Sequence, residues 1–150
     1  MIRRLNYKDT IGVYDFIRSN KDKYEDFYIT INKSRVFLKD LKLIKKILSY
    51  QEVFAIEEKG DIVAILLIYR ERGFRPYVKV LANKNKYVYD LLKFLNWNFN
   101  SELFIKAKKY NPIINIAQGF FFNFIGGRGQ EILLVKQKRE VKNDKFIGKN

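Results

Sequence analysis

Tyr77-Val78-Lys79-Val80-Leu81-Ala82-Asn83-Lys84-Asn85-Lys86-Tyr87-Val88-Tyr89-Asp90-Leu91-Leu92 is the stretch on which the fold turns. Tyr77 to Ala82 is rich in Val, Leu and Tyr and reads as a strand. From Asn85 to Phe99 the apolar positions Val88, Leu91, Leu92, Leu95 and Phe99 mark a helix, so strand passes to helix through a short polar segment. Upstream, Glu52 to Glu57 and Asp61 to Arg70 are Val/Ile/Leu-rich runs joined by Glu58-Lys59-Gly60, a β-hairpin with turn chemistry at Gly60-Asp61. The second run is almost continuously apolar, as expected of a central strand covered on both faces. Arg72 to Pro76 reads as a loop. Downstream, Leu103 to Ala107 is a strand, and Asn111-Pro112 puts proline in the first turn of a further helix, where its missing N–H costs nothing. Phe121 to Ile125 and Glu131 to Lys138 close the pattern as a hairpin around Gly126-Gly127-Arg128-Gly129.

The N-terminal half is less regular. Ile2 to Asn6 reads as an opening strand, and Asp9 is placed to cap a helix from Thr10 to about Ser19. Asn20 to Glu25 is a charged turn or helix end. Leu38, Leu41, Ile44 and Leu48 mark a second helix whose lysines, Lys39, Lys42, Lys45 and Lys46, form a solvated face. The summed order is β-α-α-β-β-β-α-β-α-β-β. It predicts one α/β or α+β domain with a mixed sheet over residues 1–138, and a basic polar tail over 139–150.

Composition narrows the chemistry. A chain of 150 residues that is 47% hydrophobic suffices for one packed core. It contains no cysteine and no histidine, which removes disulfides, thiol nucleophiles, cysteine-based metal sites and every histidine-based triad. No acidic cluster has metal-ligand spacing, so no metal is expected. Lys and Arg number 30 against 16 Asp and Glu, a net charge of +14. Two readings of that excess are open: an acidic partner such as nucleic acid, a ribosomal surface or an anionic cofactor, or AT-rich coding, which enriches Lys together with Asn, Ile, Tyr and Phe. The scarcity of Arg argues against direct base reading. The longest apolar run, Ile62 to Tyr69, is too short to span a bilayer, and Met1-Ile2-Arg3-Arg4-Leu5 lacks a signal-peptide apolar region. The expectation is a soluble cytoplasmic protein with no membrane partner.

Four pieces occur in a telling order. They are Lys79-Val80-Leu81-Ala82 ahead of Leu91-Leu92, Asn111, Gly119-Phe120, and Arg128-Gly129-Gln130-Glu131-Ile132-Leu133-Leu134. In that order they resemble the acyl-CoA-binding half of a GCN5-related N-acetyltransferase (GNAT). With Ile2-Arg3 in the opening strand, the likeness covers nearly the whole chain. It is similar above all to the small, divergent GNAT-type proteins of phages and AT-rich bacteria. The resemblance implies a GNAT-like α/β fold, a mixed, mostly antiparallel sheet flanked by helices, and acetyl-CoA or another acyl-CoA as co-substrate.

In that family a central strand splays from its neighbour and the pantetheine arm bonds along its exposed backbone; Val80, Leu81 and Ala82 match that stretch. The diphosphate loop, Arg/Gln-x-x-Gly-x-Gly/Ala, falls on Asn83, Lys84, Asn85, Lys86, Tyr87 and Val88, so Lys86 and Val88 stand where glycines let backbone N–H groups approach the diphosphate. Two accounts are open. Lys84 and Lys86 replace backbone contacts with charge while Asn83 and Asn85 take the turn conformations, or the segment is a solvated turn before a helix. The family's tyrosine four residues before Gly-Phe, which protonates the leaving thiolate, is Asn115 here, and an amide has no titrating proton to give. Tyr110 is the substitute candidate, or a strand-end aromatic. Asn111 matches a position that contacts the cofactor arm, or caps the helix before Pro112. Glu57, Glu58 and Glu71 are candidate general bases, with Glu71 preferred. Arg128 is expected to shape the last turn, pairing with Glu131.

The resemblance therefore implies an N-acyltransferase in which an amine attacks the thioester directly, the oxyanion held by a backbone N–H near Leu81-Ala82. The acceptor stays open among a small amine, a protein lysine or N-terminus, and aminoacyl-tRNA, and the sequence sets no oligomeric state. Two other readings stand beside it: a GNAT-shaped accessory or structural protein without turnover, phage-encoded for example, and a basic nucleic-acid binder.

Overall fold

The computed structural model describes residues 1–20, 27–31, 34–70 and 75–139. In chain order the elements are β1 (Ile2–Arg4), a 3-10 turn (Tyr7–Asp9), α1 (Thr10–Ser19), β2 (Tyr28–Ile31), β3 (Ser34–Phe37), α2 (Leu41–Tyr50), β4 (Glu52–Glu58), β5 (Asp61–Arg70), β6 (Pro76–Ala82), α3 (Asn85–Asn98), β7 (Leu103–Lys108), α4 (Ile113–Gln118), β8 (Asn123–Arg128) and β9 (Glu131–Lys136). One sheet has seven strands in the order β1-β4-β5-β6-β7-β9-β8, and β2 and β3 form a separate hairpin. Every neighbouring pair in the large sheet is antiparallel except β6–β7.

The apolar run of β5 has the cause expected for it: both of its faces are covered. Ile65 and Leu67 meet Val13, Phe16, Ile17, Ile44 and Leu48 of α1 and α2. Leu66 and Ile68 meet Leu91, Leu92 and Leu95 of α3 on the opposite face. Each such side chain, fully buried, contributes roughly 1.5–3 kcal/mol of transfer free energy. Alternate residues of β6 divide the same way. Tyr77 and Leu81 point to the α1/α2 face, and Val78 to the α3/α4 face.

Several elements differ from their sequence reading. The β2–β3 hairpin was not expected, because four-residue strands carry too short an alternation to stand out. Leu38 is buried but precedes α2, which begins at Leu41. Asp9 makes no side-chain cap on α1. Instead Asn6 caps the 3-10 turn, its side chain accepting from the Lys8 N–H, while Asp9 accepts from the Asn6 N–H. Asp9 also joins Glu57 in binding Arg3, with N···O distances of 2.8 and 2.7 Å, which ties β1 to β4 and to the entry of α1. The last hairpin turns at Gly129-Gln130, and Gly126 and Gly127 lie within β8 beside a register shift. Gly127 is required there because an added Cβ would sit 2.8 Å from the Glu131 carbonyl oxygen. Arg128 faces Glu131 across that hairpin, yet the Glu131 carboxylate turns to Arg35 and Tyr28. After β9, Arg139 is held by Asn96 and Asn100, and residues 140–150 lie outside the described residues.

Two predictions follow from this packing. Gly127→Ala should cost about 1–3 kcal/mol by crowding the Glu131 carbonyl, whereas Gly126→Ala, with nothing within 4 Å of the new methyl, should be far milder. Thermal unfolding of the two variants tests this, and equal losses would refute it. The second concerns Arg3, whose hydrogen bonds hold the Glu57 and Asp9 carboxyls below their usual range. Its side chain is 40% exposed, so water screens the pairs and Arg3→Met should cost only about 1 kcal/mol at neutral pH. A depressed carboxyl contributes fully above the unfolded value of about 4 and less as pH falls through the folded one. Urea titrations of wild type and variant should therefore differ most at pH 7 and draw together as pH falls below the unfolded carboxyl value of about 4.

Candidate active site

Among the described residues the parallel pair β6–β7 has the shortest ladder in the sheet. Its register holds one pair, Tyr77 opposite Phe104. There an aromatic row crosses three strands, with ring centroids of Tyr69 and Tyr77 5.8 Å apart and those of Tyr77 and Phe104 5.6 Å apart. Beyond that row no further β6–β7 pair forms among the described residues. Which backbone groups this opens follows from the ladder. The Asn83 N–H donates to the Val63 carbonyl, so Asn83, Leu81 and Lys79 bond to β5 and the backbone groups of Val80 and Ala82 face the gap. On the other side the Lys109 N–H donates to Gln130, so Lys106 turns its backbone groups toward β6.

Lys79 occupies this gap. Its side chain is 3% exposed on the α1/α2 face, and its Nζ donates to the Lys106 carbonyl at 2.8 Å. The ammonium also lies 3.9 Å from the centroid of the buried Tyr28 ring. The Tyr28 hydroxyl donates to Glu131, which also pairs with Arg35 at 3.1 Å, and Arg35 stacks over the same ring at 4.9 Å. Lys106 itself lies 5.1 Å above the Tyr77 ring. The β2–β3 hairpin, β6, β7 and β9 thus bring three cations, a phenol and a carboxylate to one side of the opening.

At its far end β6 leads into α3. Lys84 is the N-cap residue with extended backbone, no side chain caps the helix, and its first turn contains no acid. Asn83, Lys84, Asn85 and Lys86 are all exposed. Tyr87 and Val88 are buried, which explains why these bulkier residues are accepted in the first turn: Val88 joins the core, and the Tyr87 hydroxyl donates to Glu58 of β4. That bond, followed by the charges of Lys86 and Lys84, holds the Glu58 carboxyl below its ordinary value and raises the Tyr87 phenol.

The remaining expected residues disperse. Leu81 is a core side chain, and its backbone belongs to the β5 ladder. Glu57 is engaged by Arg3 and Glu58 by Tyr87, and hydrogen bonds depress both carboxyls, which makes each a poorer base. Glu71 lies outside the described residues. Tyr110 is 63% exposed on the turn after β7, with Lys108 5.9 Å from its ring. Asn115 is exposed on α4. The Asn111 side chain accepts from the Ile113 N–H at 3.0 Å, a cap on the start of α4. The reading from sequence missed Lys79, Tyr28, Arg35 and Glu131 as a cluster. The one available signal was a lysine in the middle of an otherwise apolar central strand. Among the described residues no group of three or more acidic residues is placed to hold a metal, and no helix is long and apolar enough to cross a membrane.

No protein-family model and no curated protein matches the sequence. Solved structures do match the fold. An N-acetyltransferase from Staphylococcus aureus Mu50 superposes with a TM-score of 0.69 at 15% identity, covering 91% of this chain and 96% of its own. The GNAT domain of S. lividans PAT gives 0.68 at 13% identity over 89% and 88%. Diaminobutyrate acetyltransferase EctA from Paenibacillus lautus, in complex with L-2,4-diaminobutyric acid and coenzyme A, gives 0.67 at 14% identity over 94% and 97%. With strands that part after one parallel pair and a helix beginning where the central strand ends, the chain has the fold of the GCN5-related N-acetyltransferases.

Proposed function

We propose that this protein is an acyl-CoA-dependent N-acyltransferase acting on a primary amine. The observation that carries the reading is the gap between β6 and β7, into which Val80 and Ala82 turn their backbone N–H and C=O groups. Those groups suit the amides of a pantetheine arm, which can extend the ladder where β7 no longer does. The gap ends at the N-terminus of a 14-residue helix with a lysine at its N-cap, another in its first turn and no acid in that turn, a fit for a diphosphate. Glu58 opposes that fit, since its carboxylate lies near both Lys84 and Lys86. Solved proteins of this fold include enzymes named for ribosomal-protein alanine, spermidine and diaminobutyrate, so the fold leaves the acceptor open.

The bound thioester would supply an electrophilic carbonyl. The amine nitrogen forms a bond to that carbon, the C–S bond breaks, and the proton lost from nitrogen ends on sulfur, leaving amide and thiol. Of the two N–H groups on this edge, at Val80 and Ala82, one is left to donate to the oxyanion while the other meets the pantetheine arm. Proton removal falls to a carboxylate, and Glu71 keeps the role proposed for it; Glu131, though joined to the gap cluster through Tyr28, is engaged by both Tyr28 and Arg35, as Glu57 and Glu58 are by their own partners. Tyr110 remains the proposed substitute for the acid absent at Asn115.

Calorimetric titration with CoA and acetyl-CoA tests the reading. Saturable binding is expected, weakened about tenfold by Lys84→Ala/Lys86→Ala through loss of charge-assisted contacts. Glu58→Gln keeps an acceptor for Tyr87 and removes the opposing charge, so it should tighten binding a few-fold. No saturation at millimolar CoA would overturn the proposal. Binding without turnover on a panel of amines would instead favour a GNAT-shaped binding module.

A further inference from the structure

The lysines of α2 are a motif that the acyltransferase reading leaves unused. Ile44, Ile47 and Leu48 bury one side of this helix, while Lys42, Lys45 and Lys46 are exposed on the other, with Lys39 exposed just before the N-cap Asp40. Steps of three and four residues put Lys42 beside both Lys45 and Lys46, a spacing at which like charges repel. No acid stands three or four residues from any of these lysines to offset that repulsion, and among the described residues none of them enters an ion pair. The helix α3 of the same chain is built otherwise, with Asp90 four residues from Lys86 and three from Lys93. AT-rich coding would act on both helices alike, so it leaves the uncompensated face of α2 unexplained.

Aromatic rings border that face. Tyr50, four residues beyond Lys46, is 78% exposed, and Tyr7 on the 3-10 turn is 52% exposed. The β1–β4 ladder runs on through the Leu5 N–H to the Val53 carbonyl, so the turn Tyr7–Asp9 comes beside the end of α2 and brings the exposed Lys8 with it. Among the described residues the acids of this layer are Asp9, held by Arg3, Asp15 on α1, Asp40, and Glu52 at the start of β4. A row of ammonium groups with exposed rings at one end suits a chain of phosphates that carries stacking bases. The lysines track the backbone as point charges, and the rings take bases without regard to sequence. An acidic protein segment would satisfy the charges but gives the rings no comparable partner. We propose that this face of α2, with Tyr7 and Tyr50, binds single-stranded nucleic acid. Lys42, Lys45 and Lys46 span about 6 Å of helix axis, so the face meets a short stretch of strand. The inference goes beyond the acyltransferase reading and stands whether or not CoA binds.

Fluorescence anisotropy on the full chain, with labelled single-stranded RNA and DNA of one mixed sequence and polyglutamate as competitor, tests this. Saturable binding is expected, falling steeply between about 50 and 200 mM salt, and the tighter strand names the source. Lys39→Gln/Lys42→Gln/Lys45→Gln/Lys46→Gln should weaken it by about tenfold or more and flatten the salt slope by about 3. The charge-matched Lys59→Gln/Lys93→Gln/Lys109→Gln/Lys138→Gln, at exposed positions elsewhere, should lose no more than about threefold. Tyr7→Ala/Tyr50→Ala should lose about tenfold with the salt slope unchanged. Equal losses in the two lysine variants would show net charge at work in place of the α2 face and overturn the proposal, as would no saturation at about 50 mM salt. Polyglutamate displacing the strand as well as unlabelled RNA does, with the tyrosine variant binding like wild type, would overturn it in favour of an acidic protein partner. The wild-type competition decides between the two partners even if a variant fails to fold.

Discussion

The parting of β6 from β7 is the constraint on which the rest of the molecule depends. Two parallel strands in a buried sheet would ordinarily run together for their full length, because each unmet backbone group in the interior costs free energy. Here the pairing stops after the Tyr77–Phe104 position, and the chain must answer for what it leaves open. It does so unevenly. The Lys106 carbonyl is met by the Lys79 ammonium, so a side chain replaces part of a ladder. Val80 and Ala82 keep backbone groups directed into the opening. Both residues are half-buried, so these main-chain donors and acceptors are not sealed inside the core.

Electrostatics divide the opening into two ends. At the α3 end, helix dipole and lysine charge act together, tempered by Glu58. At the α1/α2 face the charges are individually placed: Lys79 is buried over Tyr28, and Arg35, exposed, pairs with Glu131. The β2–β3 hairpin supplies Tyr28 and Arg35, and β9 supplies Glu131. The small hairpin is thus joined to the large sheet by this polar cluster as well as by its apolar residues Phe27 and Ile29. The close approach at Gly127 keeps the β8–β9 turn tight next to Glu131, which connects a backbone requirement at the sheet edge to the geometry beside the gap.

The large sheet and α3 were legible because period and length agree: long apolar β5, strongly periodic α3 and a glycine between two apolar runs, although the turn itself falls on Lys59-Gly60, both with positive φ, one residue before the Gly60-Asp61 read from sequence. The hairpin β2–β3 was hidden by its brevity. The Gly126-Gly127 pair was misread as a turn because sequence offers no way to tell a glycine needed for φ from one needed for space, and Gly127 is of the second kind. Glu57 and Glu58 looked available as bases because their partners, Arg3 and Tyr87, lie 54 and 29 residues away. The same distance in sequence concealed the Tyr28–Glu131 bond, which spans 103 residues. Residue type and spacing could locate the strand edge and the loop; they could not reveal which side chains the fold brings to either.

Two buried lysines make the contrast plain. Lys136 is 2% exposed on β9 and donates to the Asn96 side chain at 2.6 Å, and burial pulls its ammonium below the usual value. Asn96 also receives Arg139, whose backbone is held by Asn100, so the cost of that desolvated charge is offset by fixing the chain as it leaves the sheet. Lys79 bonds to a neutral oxygen in the same way, but the oxygen belongs to a strand that has moved off. An apolar residue at 79 with β6 and β7 zipped together would avoid both the buried charge and the open ladder.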